Sequence, residues 1–158
     1  MMNPVVFVIQ GETRHDPTQI AHAILDVDQW STFGGAWPLP GIQSATFRDG
    51  SPTAQIVGSI IDVVNTDGSR HVETVNAWDP PRGFELKLHN FPKPLCWMAT
   101  HIDERWEFYE HHFARSFEIH PKRVWCKPVL WVISRLLARA VRRHLAQIEA
   151  TDLPATNA

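Results

Sequence analysis

The chain has 158 residues, a formal net charge of −2, and 44% hydrophobic against 20% charged residues. That length suits one domain whose core buries about 70% of the unfolded chain's surface, and the composition is that of a globular protein. The near-balanced charge excludes a global field directed at nucleic acid or an acidic polymer. Seven tryptophans and eight phenylalanines are many for this length; they either fill a thick core or line a cavity that receives something apolar. Cys96 and Cys126 stand at no metal-ligand spacing and read as buried or free thiols in a reducing compartment. The opening "MMNPVVFVIQGE" has no basic segment and too short an apolar run for a signal peptide. No stretch of about 18 apolar residues exists, so no transmembrane helix is expected, and the cytoplasm is the simplest location.

The first element is a strand, about Val5 to Thr13, rich in β-branched and aromatic residues. A helix follows, with Asp16 as N-cap, Pro17 at the first helical position and Gln19 completing a capping box. Ile20, Ala21, Ile24 and Leu25 form its apolar stripe. "DVDQW" predicts a second short helix, and the glycines and prolines of "FGGAWPLPG" predict a loop. Six strand-like segments come next: "IQSATFR", "QIVGSIIDVVN", "RHVETVNAW", "GFELKLHN", "ATHIDERWEFY" and "HFARSFEIH". The turn chemistry of "RDGS", "TDGS" and "DPPRG" makes them an antiparallel meander. "FPKPLCWM" reads as a loop, because its prolines disfavour a central strand. The chain closes in a long amphipathic helix from about Pro128 to Ala150, on which Leu130, Ile133, Leu137, Val141, Leu145 and Ile148 recur every three or four residues. Residues 1–150 thus read as one domain, and Thr151 to Ala158 as a flexible tail.

The hairpin "ERWEFYEHHFARSFEI" carries the most informative pattern. With its turn at Glu110–His111, Tyr109 opposes His112. One face then holds Glu104, Trp106, Phe108, Phe113, Arg115 and Phe117, because strand side chains alternate with period two. An aromatic face belongs in the core, yet this one contains a carboxylate and a guanidinium. Diagonal neighbours on adjacent strands are within reach of long side chains, and neither charge is buried cheaply alone.

The layout resembles the START / Bet v 1-like (SRPBCC) superfamily, and within it the polyketide cyclase/dehydrase and lipid-transport branch. The resemblance covers about Val5 to Ala150. It rests on "LDVDQW" after the first helix, "VGSIIDVV" followed by "TDGS", "NAWDPPRGFEL" in mid-sheet and the terminal helix, and on their order and spacing. It implies an α+β helix-grip fold: a curved antiparallel sheet wrapped around a long C-terminal helix, with two short helices after the first strand. It further implies a hydrophobic cavity between sheet and helix. Some members bind or carry a ligand, and others catalyse cyclisation or dehydration.

In such a cavity Arg115 could clamp a carboxylate, enolate or phenolate oxygen. Glu104 could accept a hydrogen bond, or act as a general base if desolvation raises its pKa. These two are the catalytic candidates; a purely structural pair is the alternative, and a one-residue slip would turn both outward. Trp106, Phe108, Phe117, Ile133 and Leu137 are expected in the wall. Thr74 and Asn76 share parity with Trp78 and either offer hydrogen bonds to the chamber or face water.

No HxxxH, HExxH or His/Cys ligand spacing appears, so no metal and no cofactor are expected. Arg135, Arg139 and Arg142 share a side of the last helix: either a solvated face, or a peripheral contact with an anionic membrane or acidic partner. The expected function is binding of a small hydrophobic, lipid-like or aromatic/polyketide-like ligand. The alternatives are a cyclase/dehydratase-type enzyme and a regulatory protein-interaction module. Ligand identity and oligomeric state stay open.

Overall fold

The computed structural model describes residues 2–53 and 55–153. Strand β1 (Val5–Glu12) leads into helix α1 (Pro17–Leu25) and a 3-10 helix (Val27–Thr32). Strands β2 (Ile42–Phe47), β3 (Ile60–Asn65), β4 (Arg70–Asp79) and β5 (Gly83–His89) follow. A one-turn helix α2 (Leu95–Met98) precedes β6 (Ala99–Tyr109) and β7 (His112–Pro121). A 3-10 turn (Val124–Cys126) then opens α3 (Lys127–Ala150). The architecture is α+β: one seven-stranded sheet in the order β1-β7-β6-β5-β4-β3-β2, antiparallel throughout, with the long helix last.

Local chemistry accounts for most boundaries. Asp16 caps α1 by accepting from Thr18 N at 2.8 Å, while Gln19 Oε1 accepts from Asp16 N at 3.2 Å. β3 begins at Ile60, later than the expected run from Gln55, because Gly58 turns the chain with φ of 91°. "FPKPLCWM" contains a helical turn as well as the expected loop. β1 and β2 lie at opposite edges of the sheet, so α1 and the 3-10 helix cross between them.

α3 approaches the sheet most closely along β1 and β7 and buries Leu130, Ser134, Ala138, Val141 and Leu145 on that side. Its C-terminal end is held by Arg14, whose Nε donates to Glu149 O at 3.1 Å and whose Nη2 pairs with Asp152 at 3.2 Å. Residues 154–158 of the expected tail lie outside the described residues. Among the described residues no helix is long and apolar enough to cross a membrane.

The inner face of β5–β7 is packed with rings. Phe84 and Trp106 stack at 5.6 Å between centroids, Trp106 and Phe113 lie 5.7 Å apart, and Phe7 stacks on Phe117 at 4.7 Å. This aromatic bed supports the charged groups described next.

Candidate functional site

The β6–β7 register has Tyr109 opposite His112, Trp106 opposite Arg115 and Glu104 opposite Phe117. Glu104 and Arg115 therefore meet diagonally on the inner face, 4% and 8% exposed. Glu104 Oε1 accepts from Arg115 Nε at 2.8 Å and from Trp106 Nε1 at 2.7 Å, and Arg115 Nη2 lies 2.8 Å away. The guanidinium is held between two rings, 4.7 Å from the Trp106 centroid and 5.0 Å from that of Phe117. Charge-assisted hydrogen bonds and cation–π contact offset part of the desolvation of both ions. One group is left over: Arg115 Nη1 is buried and has no protein hydrogen-bond partner.

Two further groups face this pair that sequence reasoning missed. Glu73, 4% exposed, projects inward from β4, and His71 Nε2 lies 3.2 Å from its Oε1. His144 of α3 approaches from the other wall, edge-on to Phe33 at 5.5 Å, with Nε2 3.4 Å from Thr32 Oγ1. Its Nδ1 is also buried without a partner. Burial pushes the Glu104 carboxyl above its ordinary range; Arg115 opposes that shift, and the nearby Glu73 carboxylate adds to it. Burial likewise lowers His144 to about 4, and the Arg115 charge adds to the shift. His144 is therefore neutral at pH 7, and a neutral imidazole beside a guanidinium offers a second polar point to whatever lies between them.

Thr74 and Asn76 need correcting. Thr74 lies opposite Ile60 and Lys87 on the outer face, where its Oγ1 is 3.0 Å from His89 Nε2. Asn76 is exposed at a bulge, where the register shifts between Val75 and Ala77. The extra residue returns Trp78 to the inner face, 5.5 Å from Phe84, while Thr74 stays outside. Ile133 and Leu137 are half-buried against the core, as are Trp78 and Phe7. Trp106, Phe108 and Phe117 are buried within it.

Two concavities lie elsewhere. One of about 480 Å³ sits at the β1–β7 edge by Gly11, Tyr109 and His112. Another of about 250 Å³ is lined mainly by outer-face groups, including Glu85, Asp103, Arg105 and Glu118. The expected chamber of small-molecule size beneath α3 is not one of these; aromatic rings occupy much of that region.

The expectation of no metal cluster also meets a complication, because cross-strand pairing assembles what linear spacing conceals. His101, Asp103 and His120 bring ligand atoms within 4.8 Å of one another on the outer face. His101 and His120 stack at 4.1 Å, and their Nε2 atoms lie 3.3 and 2.9 Å from Asp103 Oδ2. Lys87 is the cross-strand partner of Asp103, so a cation already stands beside this carboxylate.

In three dimensions the chain is similar to the ginseng major latex-like protein 151 from Panax ginseng (TM-score 0.66, 16% identity, covering 97% of this chain and 100% of that one). It is similar to Ara h 8.0201 (TM-score 0.59, 13% identity, 90% and 98%). It is also similar to the di-domain ARO/CYC StfQ from the steffimycin biosynthetic pathway (TM-score 0.68, 13% identity, 94% of this chain but 50% of that one). No protein-family model and no curated protein matches the sequence. At these identities the likeness establishes the fold: the chain has the Bet v 1-like helix-grip architecture.

Proposed function

We propose that residues 1–150 bind a small, mainly apolar molecule, lipid-like or aromatic/polyketide-like, between the sheet and α3. The observation that carries this reading is Arg115 Nη1, a buried donor without a protein partner. Leaving such a group unpaired costs free energy, and a ligand oxygen accepting from it would remove that cost. Glu104 already neutralises Arg115 and Glu73 adds a second buried carboxylate. A neutral carbonyl or phenol oxygen therefore suits the site better than a carboxylate. Trp78, Trp106, Phe108 and Phe117 would flank the apolar body, with Ile133 and Leu137 on the helix side. Because rings fill much of this space, uptake requires α3 to yield. Both cysteines are free, which supports a reducing compartment such as the cytoplasm.

One observation favours an enzymatic reading of the same site. A carboxyl raised by burial, as at Glu104, suits general acid–base work, as in a cyclase or dehydratase. Incubating purified protein with aromatic and polyketide-like ketones, then analysing by mass spectrometry, separates the readings. Binding gives an unchanged adduct, and an enzyme gives loss of water or a new ring that Glu104→Gln abolishes. Failure of wild-type protein to bind any apolar carbonyl or phenol compound sinks both.

A further inference from the structure

Strand pairing determines which loops share an end of the sheet. Val5 faces Ile119, Ala99 faces Pro121, Val72 faces His89 and Ile42 faces Asn65. Segments 33–41, 66–69, 90–98 and 122–127 therefore emerge together at one end. Four of the seven tryptophans are strongly exposed: Trp37 (92%), Trp97 (60%), Trp125 (66%) and Trp131 (53%). The first three lie in those segments, and Trp131 follows in the second turn of α3. The other three, Trp30, Trp78 and Trp106, are buried or half-buried. Exposed Val124, Val129 and Val132 extend the apolar surface along the start of α3.

The charge at this end is one-sided. The same segments hold Lys93, Lys122, Arg123 and Lys127, against the single carboxylate of Asp67. Asp67 Oδ1 is already engaged by Ser69, at 2.9 Å from N and 2.6 Å from Oγ. Residues 119 to 148 contain seven Lys and Arg and no Asp or Glu. Among the described residues none of those seven has a carboxylate within ion-pair distance. Arg135 lies 4.8 Å from the Trp131 ring instead, and outside that run Lys93 lies 5.4 Å from Trp97. The turns at the opposite end mix Glu12, Asp16, Asp49, Asp79 and Glu110 with Arg14, Arg48 and Arg82, and each of these three cations has a carboxylate partner.

We propose that this tryptophan-bearing end docks on the surface of an anionic lipid bilayer. Indole rings favour the headgroup level, where an apolar body and a polar N–H are both accommodated. Unpaired lysines and arginines beside them are drawn to anionic headgroups. A folded protein partner would also accept aromatic rings. A bilayer explains better why the rings are spread over separate loops at one end, beside cations left without carboxylates. The proposal stands apart from the cavity reading, since docking needs no ligand in the site.

The test is co-sedimentation of the full chain with phosphatidylcholine vesicles, with and without phosphatidylglycerol, at low and high salt. The expected result is capture by the phosphatidylglycerol vesicles with a blue shift of tryptophan emission, weakened by salt. Combining Trp97→Ala, Trp125→Ala and Trp131→Ala should lower vesicle affinity about tenfold or more. Combining Lys122→Ser, Arg123→Ser and Lys127→Ser should remove the preference for phosphatidylglycerol. These side chains are exposed or half-buried, and unchanged circular dichroism and melting would confirm that both variants fold. Wild-type protein that ignores phosphatidylglycerol vesicles at low salt overturns the proposal, as does equal capture of the tryptophan variant. So does a concentration-dependent dimer that Trp131→Ala abolishes while vesicles are ignored, which would assign the surface to a second copy.

Discussion

Glu104 Oε1 receives Arg115 Nε and Trp106 Nε1 together, so it is the hub of the buried cluster. Arg115→Met removes the guanidinium but preserves most of the contact with Trp106 and Phe117. It strands a buried carboxylate, and the expected loss is about 3–5 kcal/mol in chemical denaturation at pH 7. The loss should shrink in acid, where Glu104 can protonate. This agrees with the sign of its raised pKa: the fold holds the proton more tightly than the unfolded chain, so the Glu104 contribution is present at low pH and lost as pH rises. His144 acts in the opposite sense. Its value falls from 6.5 to about 4 on folding, so its contribution is full above pH 6.5 and lost as pH falls toward 4. The depressed imidazole corresponds to at most about 3 kcal/mol, and less with its partial exposure. A pH series of unfolding midpoints should show that His144→Gln flattens the acid limb. An unchanged limb would place His144 outside the buried cluster.

At the scale of elements, β5 depends on Gly83, which has φ of 155° and faces Glu107 at the start of the strand. A Cβ there would collide with the Trp106 carbonyl oxygen. Gly83→Ala should therefore destabilise the protein by about 2 kcal/mol or more, since neither chain can shift without disturbing the pairing. Thermal melting checks this, and a wild-type Tm would contradict the close approach. β4 gives the contrasting case: Thr74→Val and Asn76→Ala should each change stability by about 0.5 kcal/mol or less and leave ligand affinity unaltered. The same elements explain what was legible in the sequence. Glu104 and Arg115 could be paired because β6 and β7 keep their register from Ile102 to the turn at Glu110–His111. Glu73 is hidden in the sequence because the parity that Trp78 sets for "HVETVNAW" is broken by the bulge after Val75. His144 is not visible in the apolar periodicity of α3, because it is a polar residue within that stripe. It lies three residues after Val141, on the same face, and that spacing was the available signal.

At the scale of the molecule, the order of elements was legible because turn chemistry separates most strands and the last helix is amphipathic over its length. The interior was not. Period two identifies which aromatic side chains point inward, but whether Phe84, Trp106, Phe108 and Phe113 fill a chamber or line it depends on how they stack. They stack closely, so the helix-grip scaffold is present with much of its interior occupied. Among the buried polar atoms left without a protein partner, Arg115 Nη1 and His144 Nδ1 belong to this cluster. The central claim is that a ligand oxygen meets Arg115 Nη1 beneath α3. Native mass spectrometry of gently purified wild-type protein, Arg115→Met and Leu137→Trp tests this most directly. The expected result is a small apolar adduct on the wild type that is lost or strongly depleted in both folded variants. The same adduct at the same occupancy in all three proteins would contradict the claim.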